Sequence, residues 1–247
     1  MSATNRTKSK ADRLAAQPLD FYETPSDAIA SLLGVLAEEL PPRKNPIIID
    51  AGCGTGAIGL AVKKAVRCDV VGIELDKGRA TESNRRGLPT VDTSFVELRM
   101  FDIDHVVGNP PYSLAVDFVY RALDLVGDGG LVCFLLRLNF LGSGRQRYDL
   151  LASHSGLYRV DVLTDRPSFC TSTRCKACGG SWQFPAGIPL STARHPVSSC
   201  PYSGVAPGST HYKASRTDAV DYAWVTWKKG FTGDARIRIC PSRKETK

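Results

Sequence analysis

The sequence predicts an α/β fold, a sheet with helices on both faces, on three observations. Short continuous apolar runs alternate with stretches of helical periodicity, the pattern of buried strands joined by crossover helices. The first of these runs passes directly into a glycine-rich turn and a helix. The 247 residues are 43% hydrophobic and 23% charged, which excludes a disordered or fibrous chain. Nowhere do they reach the roughly 18 unbroken apolar residues of a membrane span.

In order, residues 1–19 read as a solvated basic arm and 20–25 (DFYETP) as a loop. Ser26 is the expected N-cap of a helix over 26–40, in which Ala28, Ile29, Leu32, Leu33 and Leu36 return at helical spacing. Pro41-Pro42 stops it. Residues 46–50 (PIIID) form the first strand, and a helix follows over 56–66. The second strand is 69–75 (DVVGIEL), with a helix over 77–86 behind it. Residues 90–96 make the third strand and 104–108 (DHVVG) the fourth. A helix over 116–125 leads to the fifth strand, 131–136 (LVCFLL). Residues 159–163 and 222–228 (YAWVTWK) supply two more.

Residues 171–216 break the alternation. They are rich in Pro, Gly and Ser, with little strand or helix periodicity. They hold Arg174, Lys176, Arg194, Lys213 and Arg216 but no acid. The expected organisation is therefore a core of 20–170 and 217–240 with a basic insertion at 171–216. The whole chain has 32 Lys+Arg against 25 Asp+Glu, a net charge of +7, and a surplus of this sign favours polyanionic partners. The N-terminal stretch is polar and lacks the apolar segment of a signal peptide. A soluble cytoplasmic protein with no membrane partner is expected, a monomer or weak homodimer. There, the eight cysteines read as free thiols or metal ligands rather than disulfides.

The chemistry-bearing residues cluster at strand ends. Asp50-Ala-Gly52-Cys53-Gly54-Thr-Gly56 follows the first strand, and its glycines permit positive φ and close approach of a ligand to the backbone. Glu74 ends the second strand, placed to hold ribose hydroxyls across the crevice. An acid at the start of the loop opposes a pyrophosphate and suits a ligand bearing an ammonium. S-adenosylmethionine has both the ammonium and the ribose. Cys53 reads as a small filler residue, not a nucleophile.

Asn109-Pro110-Pro111-Tyr112 follows the fourth strand. Two prolines stiffen the turn and remove two backbone donors, which leaves the Pro110 carbonyl and the Asn109 side-chain oxygen as paired acceptors for one amino group. Tyr112 adds a flat face. An aromatic amine is a poor nucleophile because its lone pair is delocalised. Two acceptors on its N–H bonds favour a pyramidal nitrogen with the lone pair aimed at a methyl donor. Each such bond contributes only roughly 0.5–1.5 kcal/mol net, so positioning supplies much of the rate.

The glycine loop resembles motif I of class I S-adenosylmethionine-dependent methyltransferases, and the tetrapeptide resembles motif IV of enzymes that methylate adenine N6 or the amide of protein glutamine. The wider pattern is similar to small phage and prophage DNA adenine methyltransferases over residues 20–170 and 217–230. The resemblance implies a Rossmann-like fold and S-adenosylmethionine as cofactor. It implies DNA as partner, with catalysis by Asn109, Pro110, Pro111 and Tyr112. It also implies a cofactor site of Tyr22, Thr24, Asp50, Gly52, Cys53, Gly54, Glu74, Ser94, Phe95 and Asn109, with Tyr22 and Thr24 at the methionine end. Phe169, in Arg166-Pro-Ser-Phe169, implies a second stacking face for the flipped base beside Tyr112. The plainer readings are a packing residue for Phe169 and a helix-starting turn for Tyr22 and Thr24. The chain departs from the family at Ser94-Phe95, where an Asp-Phe pair is usual. Ser94 hydrogen-bonds the cofactor adenine more weakly than a carboxylate does.

Cys175-Lys-Ala-Cys178-Gly-Gly resembles a zinc knuckle, and Cys200-Pro-Tyr-Ser-Gly a second one lacking a cysteine. Cys170, Cys175, Cys178, His195 and Cys200 are the candidate ligands, four of which make a tetrahedral structural zinc site. The alternative is a degenerate knuckle with free thiols. With Trp182, Phe184, Tyr202 and Tyr212 among its basic residues, the insertion reads as a nucleic-acid contact. Three alternatives stay open for function: an RNA adenine methyltransferase, a protein glutamine methyltransferase, and a nucleic-acid-binding module without turnover.

Overall fold

The computed structural model describes residues 23–40, 45–99, 103–142, 144–152, 155–167, 170–175, 181–185, 212–216 and 220–240. Helix α1 (Ser26–Glu39) buries Ala28, Ile29, Leu32, Val35 and Leu36 along one stripe. Its N-cap is Pro25, not Ser26, with no side-chain cap. Proline holds φ at −63° in the extended region that the cap position requires, and its carbonyl receives the N–H of Ile29 at 3.1 Å. Strand β1 (Ile47–Ala51) and helix α2 (Ala57–Ala65) flank the glycine turn. Strand β2 (Asp69–Glu74) leads to helix α3 (Lys77–Arg85), whose cap Asp76 accepts the N–H of Arg79.

Strand β3 is only Thr90–Asp92, shorter than the expected 90–96. The chain then makes a 3-10 turn at Phe95–Glu97. Phe95 is buried through that turn, its ring 4.9 Å from Phe118, so its apolarity serves helix packing rather than strand pairing. Strand β4 (Ile103–Gly108) precedes a 3-10 turn at Tyr112–Leu114 and helix α4 (Ala115–Leu125). Strand β5 (Val126–Arg137) runs to a 3-10 turn at Leu138–Leu141, helix α5 (Arg145–Leu151) and strand β6 (Leu157–Leu163). The residues expected to lack periodicity contain a separate antiparallel sheet of β7 (Cys170–Cys175), β8 (Ser181–Pro185) and β9 (Tyr212–Arg216), in the order β8-β7-β9. Strands β10 (Tyr222–Lys228) and β11 (Arg236–Cys240) complete the main sheet.

That sheet has eight strands in the order β11-β6-β10-β5-β4-β1-β2-β3. Strand β10 is antiparallel to both its neighbours, and the other pairings are parallel. Alternate residues feed opposite faces. Ile48 and Val107 join α1 and α2 in one apolar cluster, while Ile49 and Val106 join α4 in the other. Helices therefore cover both faces, as the unbroken apolar runs predict. Among the described residues no helix is long and apolar enough to cross a membrane.

Candidate active site

The strand order reverses at β1. The chain steps outward through β2 and β3, then returns to add β4 on the other side. A crevice opens at the carboxyl ends of strands at such a reversal. Here Ala51 pairs with Gly108, and a Cβ on Gly108 would lie 2.5 Å from the Ala51 carbonyl oxygen. Only glycine lets the two strands run this close where motif I and the Asn-Pro-Pro-Tyr turn diverge. The crevice measures about 930 Å³ with open solvent included.

The glycine loop forms one wall. Gly52, Gly54 and Gly56 all have positive φ, at 68°, 56° and 87°. The N–H groups of Gly52 and Cys53 are pinned to the Ile73 carbonyl at 2.9 and 3.0 Å. Gly52 and Cys53 line the crevice. Burial pushes the Cys53 thiol up to about 12, so it stays protonated at neutral pH. Asp50, expected to face the cofactor ammonium, does not line the crevice. It is fully buried, and one carboxylate oxygen accepts the Gly59 N–H in the first turn of α2 at 2.7 Å. Its immediate task is to fasten the loop to that helix. The other oxygen, Oδ1, is buried with no hydrogen-bond partner.

Burial raises the Asp50 carboxyl to about 7, against the opposing bond from Gly59 and with a small addition from Glu74. A carboxyl raised in the native state lends stability that is whole below its unfolded value near 3.8 and is lost as pH climbs through its native value. Asp50→Asn keeps an acceptor for Gly59 and cannot titrate. In cofactor-free protein, the unfolding free energy of this variant relative to the parent should rise between about pH 4 and pH 7 and level off above. The full shift corresponds to about 4 kcal/mol. Parallel stability curves from chemical denaturation across that range would show that the Asp50 carboxyl ionises near its ordinary value in the folded protein and that burial does not raise it.

Glu74 ends β2 with 5% of its surface exposed and lines the crevice. Its Oε2 accepts the Gly54 N–H at 2.8 Å. Its Oε1 accepts the Asp76 N–H at 2.8 Å and the Arg79 guanidinium at 2.9 Å. The acid thus staples β2 to the glycine loop, and Oε2 keeps lone-pair capacity toward the crevice. Ser94 and Phe95 stand on the wall beyond it, with Ile58 and Ile73 contributing apolar surface.

The opposite wall is the turn after β4. Asn109 Nδ2 donates to Thr24 Oγ1 at 3.2 Å, which orients the amide and frees Oδ1 for the crevice. Tyr112 Oη donates to that Oδ1 across a long 3.4 Å. Among the described residues, no donor reaches the Pro110 carbonyl. The guanidinium of Arg137 lies over the Tyr112 ring at 4.4 Å, and the Tyr222 ring lies 5.8 Å away, so one face of Tyr112 is already covered. The sequence reading did not anticipate this cover. Nor did it single out Glu23, which lines the crevice and binds Thr55 Oγ1 and Arg86 across the glycine loop at 3.2 and 3.0 Å. Those bonds hold the 23–25 segment, with Thr24 in it, against the site. Only the tertiary fold brings these partners together, and the one local hint is Glu23 within the DFYETP run.

Thr24, Gly52, Cys53, Glu74, Ser94, Phe95, Asn109, Pro110, Pro111 and Tyr112 therefore share one crevice. Gly54 sits behind it, bonded to Glu74. Tyr22 and Phe169 lie outside the described residues, as do residues 1–19, Cys178, His195 and Cys200. Cys170 and Cys175 are opposite ends of β7, roughly 17 Å apart at about 3.3 Å per residue. Among the described residues, no group of three or more His, Cys, Asp or Glu is arranged to hold a metal.

No protein-family model matches the chain, and no curated protein matches its sequence. Solved structures do match. A candidate class I S-adenosylmethionine-dependent methyltransferase from Listeria monocytogenes aligns over 89% of this chain and 66% of its own, just under two thirds of its length, at TM-score 0.59 and 13% identity. A candidate RNA methyltransferase from Pyrococcus horikoshii aligns over 85% of this chain and 88% of its own, at TM-score 0.50 and 15% identity. A geranyl diphosphate C-methyltransferase from Streptomyces coelicolor shares only 43% of this chain and 45% of its own, at TM-score 0.39 and 16% identity, so this chain spans less than half of that enzyme. Together with the strand order and the crevice, the two longer matches show that this chain has the Rossmann-like fold of the class I methyltransferases.

Proposed function

We propose that this protein transfers a methyl group from S-adenosylmethionine to the N6 amino group of adenine in DNA. The observation that carries the reading is the pair of acceptors, Asn109 Oδ1 and the Pro110 carbonyl, side by side on a proline-stiffened turn across the crevice from Glu74.

The residues present fit the cofactor. Glu74 Oε2 has capacity for ribose hydroxyls, and Ile58, Ile73 and Phe95 offer an apolar bed for a purine. The partnerless Oδ1 of Asp50 leaves an unsatisfied acceptor behind the glycine loop. When bound, the cofactor supplies an electrophilic sulfonium methyl. The protein's own part is to receive and aim the amine. Asn109 Oδ1 accepts one N–H and the Pro110 carbonyl the other, which draws the nitrogen lone pair out of conjugation. The Tyr112 hydroxyl, weakly held on that Oδ1, gives up its place to the incoming amine. The amine would take the methyl from sulfur, whose bond to it breaks to leave a neutral thioether, and the N–H proton would pass to solvent, since neither acceptor is basic. Thr24 keeps the Asn109 amide from flipping its donor toward the substrate. The adenine must leave its stack to reach this turn.

The net charge of +7 and the acid-free 171–216 segment support a nucleic-acid substrate over protein glutamine. The Pyrococcus protein's description as an RNA methyltransferase makes RNA adenine the second reading. The test is incubation with labelled cofactor and, separately, unmethylated DNA, RNA and a protein mixture, followed by digestion and mass identification. N6-methyldeoxyadenosine is expected from DNA. Label confined to RNA or to protein would overturn the DNA reading.

A further inference from the structure

A second cleft of about 550 Å³, open solvent included, adjoins the site and shares Tyr112 with it. Its other walls include Ser113, Arg137, Asn139, Phe140 and Arg147. The topology puts it there. Strand β5 lies beside β4, with Gly108 paired to Phe134, so the segment leaving the carboxyl end of β5 runs next to the Asn-Pro-Pro-Tyr turn. Arg137 is the last residue of β5, and Arg147 sits on α5 just beyond. Two guanidiniums thus line a cleft whose described walls hold no acid.

Arg147 is held in place by the protein itself. Its Nη1 donates to the Asn139 and Gly142 carbonyls at 2.8 and 3.1 Å, and its guanidinium lies 5.0 Å from the Phe140 ring centre. Both backbone bonds use one nitrogen. Among the described residues no carboxylate pairs with Arg147, and no partner occupies its Nε–Nη2 edge. That edge is the fork that matches two oxygens of a phosphate. A fixed fork without a counter-ion, next to an arginine already braced on Tyr112, is a built place for an anion.

We propose that this cleft holds a backbone phosphate flanking the target nucleotide. The inference rests on the adenine methylation reading and adds to it: the substrate is a nucleotide within a strand, recognised by its charged linkage as well as its base. Tyr112 is the partition. An amine at Asn109 and Pro110 and a phosphate at Arg147 are separated by one side chain, the scale on which a nucleotide separates its base from its phosphates. Such a contact fixes register without reading sequence.

The probe is a short end-labelled single strand of thymidylates with one central adenosine, with linkages near the adenosine replaced one at a time by neutral methylphosphonate. With the parent protein, one such replacement weakens binding by about tenfold or more, the usual effect of losing a charge-assisted bond. Arg147→Ala binds the charged strand about tenfold more weakly and no longer responds to that replacement. Its affinity also falls less steeply with salt, by about one unit of logarithmic slope. Arg147→Lys, which keeps the charge without the fork, retains part of the response. Cofactor titration of each variant reports an intact site. Equal sensitivity to the neutral linkage in parent and Arg147→Ala overturns the subsite and leaves the methylation reading standing. A parent that binds cofactor but neither binds the strand nor methylates DNA overturns that reading, and the subsite with it.

Discussion

Replacement of Asn109 by alanine lowers methyl transfer by about 100- to 1,000-fold, the range for deleting one fixed dipole aimed at developing charge, while cofactor affinity changes by less than about threefold. The two effects separate because the amide and the cofactor-holding groups sit on different walls. Asn109 leaves the end of β4, and among the described residues its side chain bonds to Thr24 and, weakly, Tyr112. Glu74 and the glycine loop belong to β1 and β2. Loss of the amide leaves the Pro110 carbonyl as a lone acceptor, which positions the amine but does not fix its pyramidal form. Asn109→Asp is the instructive companion. It restores an acceptor but cannot donate to Thr24, so it recovers part of the rate. Single-turnover transfer measured beside calorimetric cofactor titration decides the matter. Full-rate transfer by Asn109→Ala removes this residue from the chemistry.

Much of this site was legible because its parts are local. The loop from Asp50 to Gly56, the acid at Glu74 and the turn from Asn109 to Tyr112 each occupy a few consecutive residues at a strand end. A parallel sheet gathers strand ends at one edge whatever the details of packing. The helix faces were legible for a similar reason, since the apolar period in α1 survives any choice of neighbours. Pairings across long sequence separations were not. Arg86 reaches Glu23 across 63 residues, and Arg137 covers a Tyr112 that the sequence presents simply as an aromatic face. The depth of Asp50 was hidden too. An acid heading a glycine loop suggests a ligand contact, and only the fold shows it behind the loop, bonded to Gly59. Strand β3 misled because Phe95 and Val96 have strand-like side chains, while the chain turns at Thr93, whose N–H goes to the Glu74 carbonyl. In the 171–216 segment, Pro and Gly between short Thr- and aromatic-containing runs masked three strands.

Glu74→Ala costs more than a ribose contact, because this carboxylate also organises the loop that the cofactor must meet. In the parent, one oxygen receives Gly54 and the other receives Asp76 and Arg79, in a site with 5% exposure. Removing it leaves a guanidinium and two N–H groups to find water or new partners, each typically costing about 1–3 kcal/mol when buried. The ribose bonds proposed for Glu74 would be lost in addition. Cofactor affinity accordingly falls by about 100-fold or more, and thermal stability falls with it. Glu74→Gln separates the two contributions. Its amide still accepts from Gly54, so the loop holds and stability largely returns. Without the charge, the Arg79 pairing and the ribose bonds weaken, so affinity recovers only in part. If calorimetry showed Glu74→Ala binding S-adenosylmethionine as tightly as the parent, the acid at the end of β2 would be a staple for the glycine loop alone, and the ribose would have to be held by another group in the crevice.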